Sequence, residues 1–270
     1  DIGASNIENL ITLGFDLIID TPAPETSRKL NQLSFTNFAN LCKATEMALF
    51  ASVPRLAIDL NIKLIFWGEN PALQVGDSKT LGLDPFDGNN LRYSNTLVEG
   101  GSDWMDEVLD ESYKKHHYEY PSLIEYKQQH INILYLGPAW DDWTANMNST
   151  FAALWGLTLR PNEEMITGDL TNASMIDEEF VIINMMIKYF KYGFGRATDY
   201  ANEQIRNNKL SRDEAISLVQ KFDGVCDDSI IKKYCKYIQI SEKFFWIHVN
   251  QSVNRDLFTL TASRPIPKFI

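Results

Sequence analysis

The run Ile62-Lys63-Leu64-Ile65-Phe66-Trp67-Gly68-Glu69-Asn70-Pro71 decides how the first half of this 270-residue chain is read. Ile62–Trp67 is nearly all apolar and stops abruptly at a cluster of turn residues. A short apolar run bounded in this way predicts a strand covered on both faces, as in a parallel sheet. Upstream, Cys42 to Leu60 predicts a helix, with Leu49, Phe50, Val53, Leu56, Ala57 and Leu60 at three- and four-residue steps. Pro54 is expected to bend that helix or split it in two, because proline lacks the backbone donor. Before it, Glu25–Phe38 predicts a helix with Leu30, Leu33 and Ser34 turned inward, entered through the turn Thr21-Pro22-Ala23-Pro24. Phe15–Ile19, ending at Asp20, predicts a further strand, and Ile2–Leu13 an amphipathic helix stopped by Gly14. Downstream, Pro71 to Gly101 reads as a long loop, of the kind more often functional than idle. Ser102 is expected to cap a helix carrying Trp104, Met105 and Val108, and Ile131–Leu136 to form a third strand closing in Gly137-Pro138. Strand, helix and strand in alternation define an α/β class, a parallel sheet with right-handed crossovers and helices on both faces.

After Trp140 the pattern turns helical. Trp143, Met147, Phe151, Leu154 and Trp155 form one stripe; Trp140, Trp143 and Trp155 could stack on a sugar, but helical spacing makes Trp143 and Trp155 core by preference. Phe180 to Tyr192 predicts a broad apolar helix, and Ser211-Arg212-Asp213-Glu214 is a capping box opening the next. Ser229–Ile238 and Ser241–Val249 predict two more, and the segment after Arg255, with Pro265 and Pro267, an exposed strap. The expected organisation is an α/β domain over 1–140, a helical region over 141–260 and a tail over 261–270. The opening inside an α/β unit reads as cut from something longer.

The formal net charge is −11, with 23% charged residues. An acidic surface repels a phosphate backbone, which argues against nucleic acid as a partner. No apolar run reaches the roughly 18 residues of a membrane helix, and no leader is recognisable. Three scattered cysteines (Cys42, Cys226, Cys235) lack the spacing of a disulfide framework and fit a reducing compartment, so a cytoplasmic location is expected. The four histidines suggest no metal set, since His116 and His117 are adjacent and His130 and His248 are distant. The sequons at Asn148, Asn172 and Asn250 read as chance matches.

Two constellations carry chemistry. Gly68-Glu69-Asn70 follows the buried strand, where ligand crevices of open α/β sheets lie. A carboxylate there suits the Mg²⁺ of a nucleotide; the alternative is a tight turn with a solvated glutamate. Lys191-Tyr192-Gly193-Phe194-Gly195-Arg196 offers glycines for a sharp turn and a guanidinium fork for phosphate or carboxylate. Its alternative is a helix C-cap followed by a surface arginine. Glu99-Gly100-Gly101-Ser102-Asp103-Trp104 looks like a pyrophosphate loop without its serines and reads as a glycine turn instead. Lys43 and Glu46, one helical turn apart, read as a solvated pair, and Cys42 as a buried structural thiol.

Three stretches together resemble the N-acetyl sugar amidotransferases of bacterial surface-polysaccharide biosynthesis, within the PP-loop ATP pyrophosphatases. They are Leu13–Glu25 (L-G-F-D-L-I-I-D-T-P-A-P-E), Ile62–Gly76 (I-K-L-I-F-W-G-E-N-P-A-L-Q-V-G) and the run from Lys191 through Asp223-Gly224. The resemblance implies an adenine nucleotide alpha hydrolase-like, Rossmann-like sheet, N-terminally truncated, followed by the helical region. It also implies that ATP activates the acetamido oxygen of a sugar of pseudaminic or legionaminic type, as found in lipopolysaccharide O-antigen. Ammonia from a separate glutaminase subunit then displaces AMP and leaves an acetamidino group. It places Gly68, Glu69 and Asn70 near ATP, with Glu69 on Mg²⁺, and Lys191 and Arg196 near an anionic substrate as the catalytic cations. The family's pyrophosphate loop and cysteine-rich segment would lie upstream of Asp1. The competing expectations are a non-catalytic fragment docking a glutaminase, and another PP-loop chemistry such as RNA thiolation, against which the acidic charge speaks.

Overall fold

The run that decides the α/β reading does form a strand, but a sparsely covered one. A computed structural model describes residues 1–68, 101–137, 144–161, 171–174, 176 and 178–269. β1 (Leu64–Trp67) pairs in parallel with β2 (Asn132–Tyr135), Ile65 opposite Ile133 and Trp67 opposite Tyr135. The parallel pairing agrees with the expectation; the coverage on both faces does not. Ile65, Ile133 and Tyr135 are buried on one face, whereas Leu64 and Phe66 are 45% and 58% exposed on the other. Strand side chains alternate, so a helix packed on one side buries only every second residue. The described residues show no Rossmann-like sheet beyond this pair.

The described chain separates into two compact units. The first contains residues 20–33 and 42–143. In it, α3 (Lys43–Asp59) turns Ala44, Met47, Ala51, Pro54 and Ala57 inward. Pro54 sits within this continuous helix instead of splitting it, and Leu49 and Leu60, part of the expected stripe, are about half exposed. Small side chains on the inward face let the helix approach its neighbours closely, and that burial outweighs the one backbone bond proline removes. Lys43 opens the inward face and is buried, not solvated. One core cluster joins Leu30, Ala44, Met47, Met105 and Tyr118; another joins Ala57, Ile65, Tyr126, Ile131 and Ile133. Between them Arg55 donates to the carbonyls of Glu119 and Tyr120 and pairs with Glu125. Met105 lies in a single 3-10 turn, Asp103–Met105. Ser102 does not cap it: its hydroxyl donates to Glu119 Oε1 at 2.8 Å. The longer helices here are α4 (Glu111–His117), capped by Asp110, and α5 (Leu123–Gln129), opened by a capping box of Ser122 and Glu125.

The second unit contains residues 1–19, 34–41 and 144–270. α1 (Ile2–Thr12) is capped by Asp1 and buries none of its residues. Phe15–Ile19 is not a strand: it lacks regular structure, and Phe15, Ile18 and Ile19 are about 60% exposed. A strand persists only where a neighbour accepts its ladder of hydrogen bonds, and among the described residues no edge pairs with this segment. Trp155, which closes α6 (Ala145–Leu154), likewise reverses the core expectation. Phe151, Leu154 and Trp155 are 64%, 81% and 58% exposed, and the helix buries Ser149 instead. Trp140 and Trp143 lie outside the described residues.

The core of this unit is aromatic. α2 (Pro24–Phe38) contributes Phe35, which stacks on Phe245 at 5.1 Å and meets Tyr234 edge-on at 6.0 Å. α7 (Val181–Tyr192) adds Ile183, Met186, Ile187 and Phe190. Then follow α8 (Arg196–Arg206), a helix not singled out in the sequence, and the expected α9 (Arg212–Phe222), α10 (Asp228–Tyr237) and α11 (Glu242–Ser252). The C-terminal segment is not a loose strap. Phe258 is buried in β3 (Phe258–Thr259), which pairs antiparallel with β4 (Ile266–Pro267), and Arg264 donates to the Cys226 carbonyl and to Asp228. Phe258 meets Tyr189 and Phe190 edge-on, so an apolar anchor holds what the prolines alone would leave extended.

Candidate functional site

The glycine-hinged run folds as a helix–turn–helix corner. Gly193 ends α7 in the left-handed conformation, φ 81°, its N–H returning to the Tyr189 carbonyl at 2.7 Å. A Cβ there would also stand 2.8 Å from Leu257. This is the helix C-cap that the sequence left open as an alternative. Gly195 is the N-cap of α8 and has no side chain with which to cap it. The capping group comes from elsewhere. Asp223, buried at the end of α9, accepts from Gly195 N–H and Ala197 N–H at 2.9 Å each and from the Thr198 hydroxyl at 2.6 Å. A Cβ on Gly195 would meet Asp223 Oδ1 at 2.5 Å, so only glycine leaves room for the carboxylate. Gly224 then turns the chain away at φ 76°, against the Tyr189 ring. Burial pushes the Tyr189 phenol above its ordinary value, and the Asp223 charge adds to that.

This arrangement has a chemical consequence. The N-terminus of a helix attracts anions through its orphan N–H groups and dipole. At α8 an internal carboxylate already occupies that position, so these backbone donors are not open to an external anion. Arg196 is half-buried, and its Nη2 donates to the Ser174 hydroxyl at 2.8 Å. Lys191, in the last turn of α7, donates from Nζ to the Phe38 carbonyl at 2.6 Å, and Asn184 on the same helix accepts from Leu41 N–H. Lys188 pairs with Asp199 at 2.8 Å and lies over the Phe194 ring. Arg196 and Lys191 thus flank the same corner.

Gly68 belongs to the other unit, directly after β1, and among the described residues nothing lies within 4 Å of the position a Cβ would take there. Glu69 and Asn70, read as nucleotide and Mg²⁺ ligands, lie outside the described residues. Two buried thiols are poor nucleophiles. Burial pushes Cys226 up to about 12 and Cys235 to about 11. Sequence reasoning missed two groupings. Asp223 enters the sequence reading only as part of a motif, and its clamp joins residues 25–28 positions apart. The histidines were set aside as a metal set, yet the fold brings Asp20 to His116 and His117. Neither carries a signal that a linear spacing rule would detect.

Residues 170–265 match the family model described as LPS biosynthesis protein WbpG-like, C-terminal domain. The match spans the corner, its Asp223 clamp and the helices that follow, and it links this part of the chain to a family of lipopolysaccharide biosynthesis. None of the curated proteins matches the chain. Among the described residues, no helix is long and apolar enough to cross a membrane.

Proposed function

We propose that the protein acts as an ATP-dependent amidotransferase of lipopolysaccharide biosynthesis, converting the N-acetyl group of a sugar into an acetamidino group. The match of residues 170–265 to the LPS biosynthesis domain carries the reading. The parallel β1–β2 pair, with Gly68 at the carboxyl end of β1, is compatible with a nucleotide crevice at the carboxyl ends of strands. An amide oxygen is a poor leaving group. Transfer of AMP from ATP to that oxygen releases pyrophosphate and creates a good one. Ammonia then adds to the carbon, AMP leaves with the oxygen, and a proton is lost to solvent. In this reading Gly68, Glu69 and Asn70 border ATP-Mg²⁺, with Glu69 as the metal ligand, and a separate glutaminase supplies ammonia. Arg196 takes an anionic group of the substrate, and Lys191 is the second cation of the corner. Because Asp223 fills the helix terminus, selectivity for the anion rests on the guanidinium fork.

The direct test supplies the native protein with ATP, Mg²⁺, ammonium and nucleotide-linked N-acetyl sugars, and follows AMP and the sugar by mass spectrometry. AMP formed together with a sugar in which NH replaces one oxygen establishes the activity; AMP-independent binding of a glutaminase without turnover would leave the docking reading instead. Arg196→Ala, which among the described residues gives up a bond to Ser174, should lower kcat/KM at least about tenfold with its thermal midpoint nearly unchanged. Unchanged turnover would remove Arg196 from the site.

A further inference from the structure

We propose that Asp20, His116 and His117 form a binding site for a borderline divalent metal ion of the Zn²⁺ type. The site lies entirely within the unit of residues 20–33 and 42–143. His116 and His117 close α4, where the helix dipole presents its negative end and favours a cation. Asp20 stands shortly before the start of α2, and one donor atom from each of the three residues lies within 4.8 Å of the other two.

The geometry is built, not casual. Tyr113, one turn back on α4, accepts a hydrogen bond from Ala23 N–H at 2.9 Å and packs its ring 4.4 Å from that of His117. One side chain therefore holds the Asp20 segment and orients the imidazole together. His117 Nδ1 is buried and makes no hydrogen bond, facing Asp20 Oδ2 at 3.5 Å. A buried ring nitrogen without a partner is a cost that a metal bond removes. Ligands at 2.0–2.1 Å from a tetrahedral Zn²⁺ stand about 3.3 Å apart, so the His117–Asp20 pair is nearly at ligand spacing already. His116 is exposed, its ring 4.6 Å from that of His117, and a rotamer change brings it in. Two imidazoles and one carboxylate suit Zn²⁺ or Co²⁺; Mg²⁺ and Ca²⁺ prefer all-oxygen shells. Three protein ligands leave at least one position for water or a small ligand.

The test uses the whole 270-residue chain, freed of metal and titrated with Co²⁺ as a spectroscopic probe, then with Zn²⁺ in competition. Wild type should take up Co²⁺ with d–d absorption of a low-coordinate site, and Zn²⁺ should displace it while excess Mg²⁺ should not. His116→Gln changes an exposed residue and spares the fold; Asp20→Asn keeps the shape. Each should weaken this site at least about tenfold, whereas His130→Gln, a histidine of the same unit outside the cluster, should leave it unchanged. Zn²⁺ should raise the thermal midpoint of wild type and not that of His116→Gln, since a ligand that binds only the folded state stabilises it. Equal Co²⁺ binding by wild type, His116→Gln and Asp20→Asn would overturn the proposal, as would absence of binding by wild type or displacement by Mg²⁺ as effective as by Zn²⁺.

Discussion

The Gly193–Asp223 corner and the β1–β2 pair treat their surroundings in opposite ways. At the corner, backbone donors that a helix start ordinarily leaves to water are claimed by one buried carboxylate, and glycines make the room. In the sheet, an apolar run that reads as doubly covered keeps Leu64 and Phe66 exposed. Polar groups demand partners one by one, whereas apolar surface tolerates partial exposure, because burial is worth only about 25 cal/mol per Å². The difference separates residues whose loss breaks the fold from residues held back for something else.

Substitutions can break this contrast, beginning with the largest expected effect. Asp223→Ala orphans two N–H groups and a hydroxyl in a buried place and should cost about 4 kcal/mol in denaturant unfolding. A loss under about 1 kcal/mol would mean that water replaces the carboxylate freely. Ile133→Ala, on the covered face of the sheet, should cost about 3 kcal/mol by the same measurement. Gly224→Ala adds a Cβ at positive φ against the Tyr189 ring, and a loss of about 2–3 kcal/mol is expected. Ser211→Ala removes the cap of α9 and should cost about 1 kcal/mol. Hydrogen bonds from Ser211 hold Glu214 below its ordinary carboxylate value. The stabilisation this brings is therefore complete above the unfolded pKa and lost as pH falls through the folded one. Stability measured from neutral to acid pH should accordingly fall less in Ser211→Ala. Last, Phe66→Ser on the open face should stay within about 0.5 kcal/mol of wild type. A large loss there would show the face covered and end the contrast.

Local rules were legible in the chain itself. The capping box at Ser211, the stop at Gly193 and the helices α7, α9, α10 and α11 rest on interactions within one or two turns, whereas α8, capped by the distant Asp223, went unread. The parallel relation of β1 and β2 was legible as well, because an antiparallel pair would not need the intervening helices. Misreadings arose where a periodicity was right but its direction was not. The Met147–Trp155 stripe and the Phe15–Ile19 run are apolar as read, yet both face outward. Periodicity states that a face exists, not what stands opposite it. The Ser102 hydroxyl went to Glu119 rather than to its own helix, a choice between a local and a distant acceptor that spacing cannot weigh.

Of the site, the sequence by itself determined that the Lys191–Arg196 turn pairs glycine freedom with two cations, and it carried the likeness to an LPS biosynthesis domain. Only the tertiary structure decided that Asp223 occupies the start of α8 and that Asp20 stands beside His116 and His117. The reason is range. Helix caps and turn conformations depend on neighbours a few residues away, whereas a carboxylate meets a distant amide or imidazole only after burial of the apolar cores has brought their elements together.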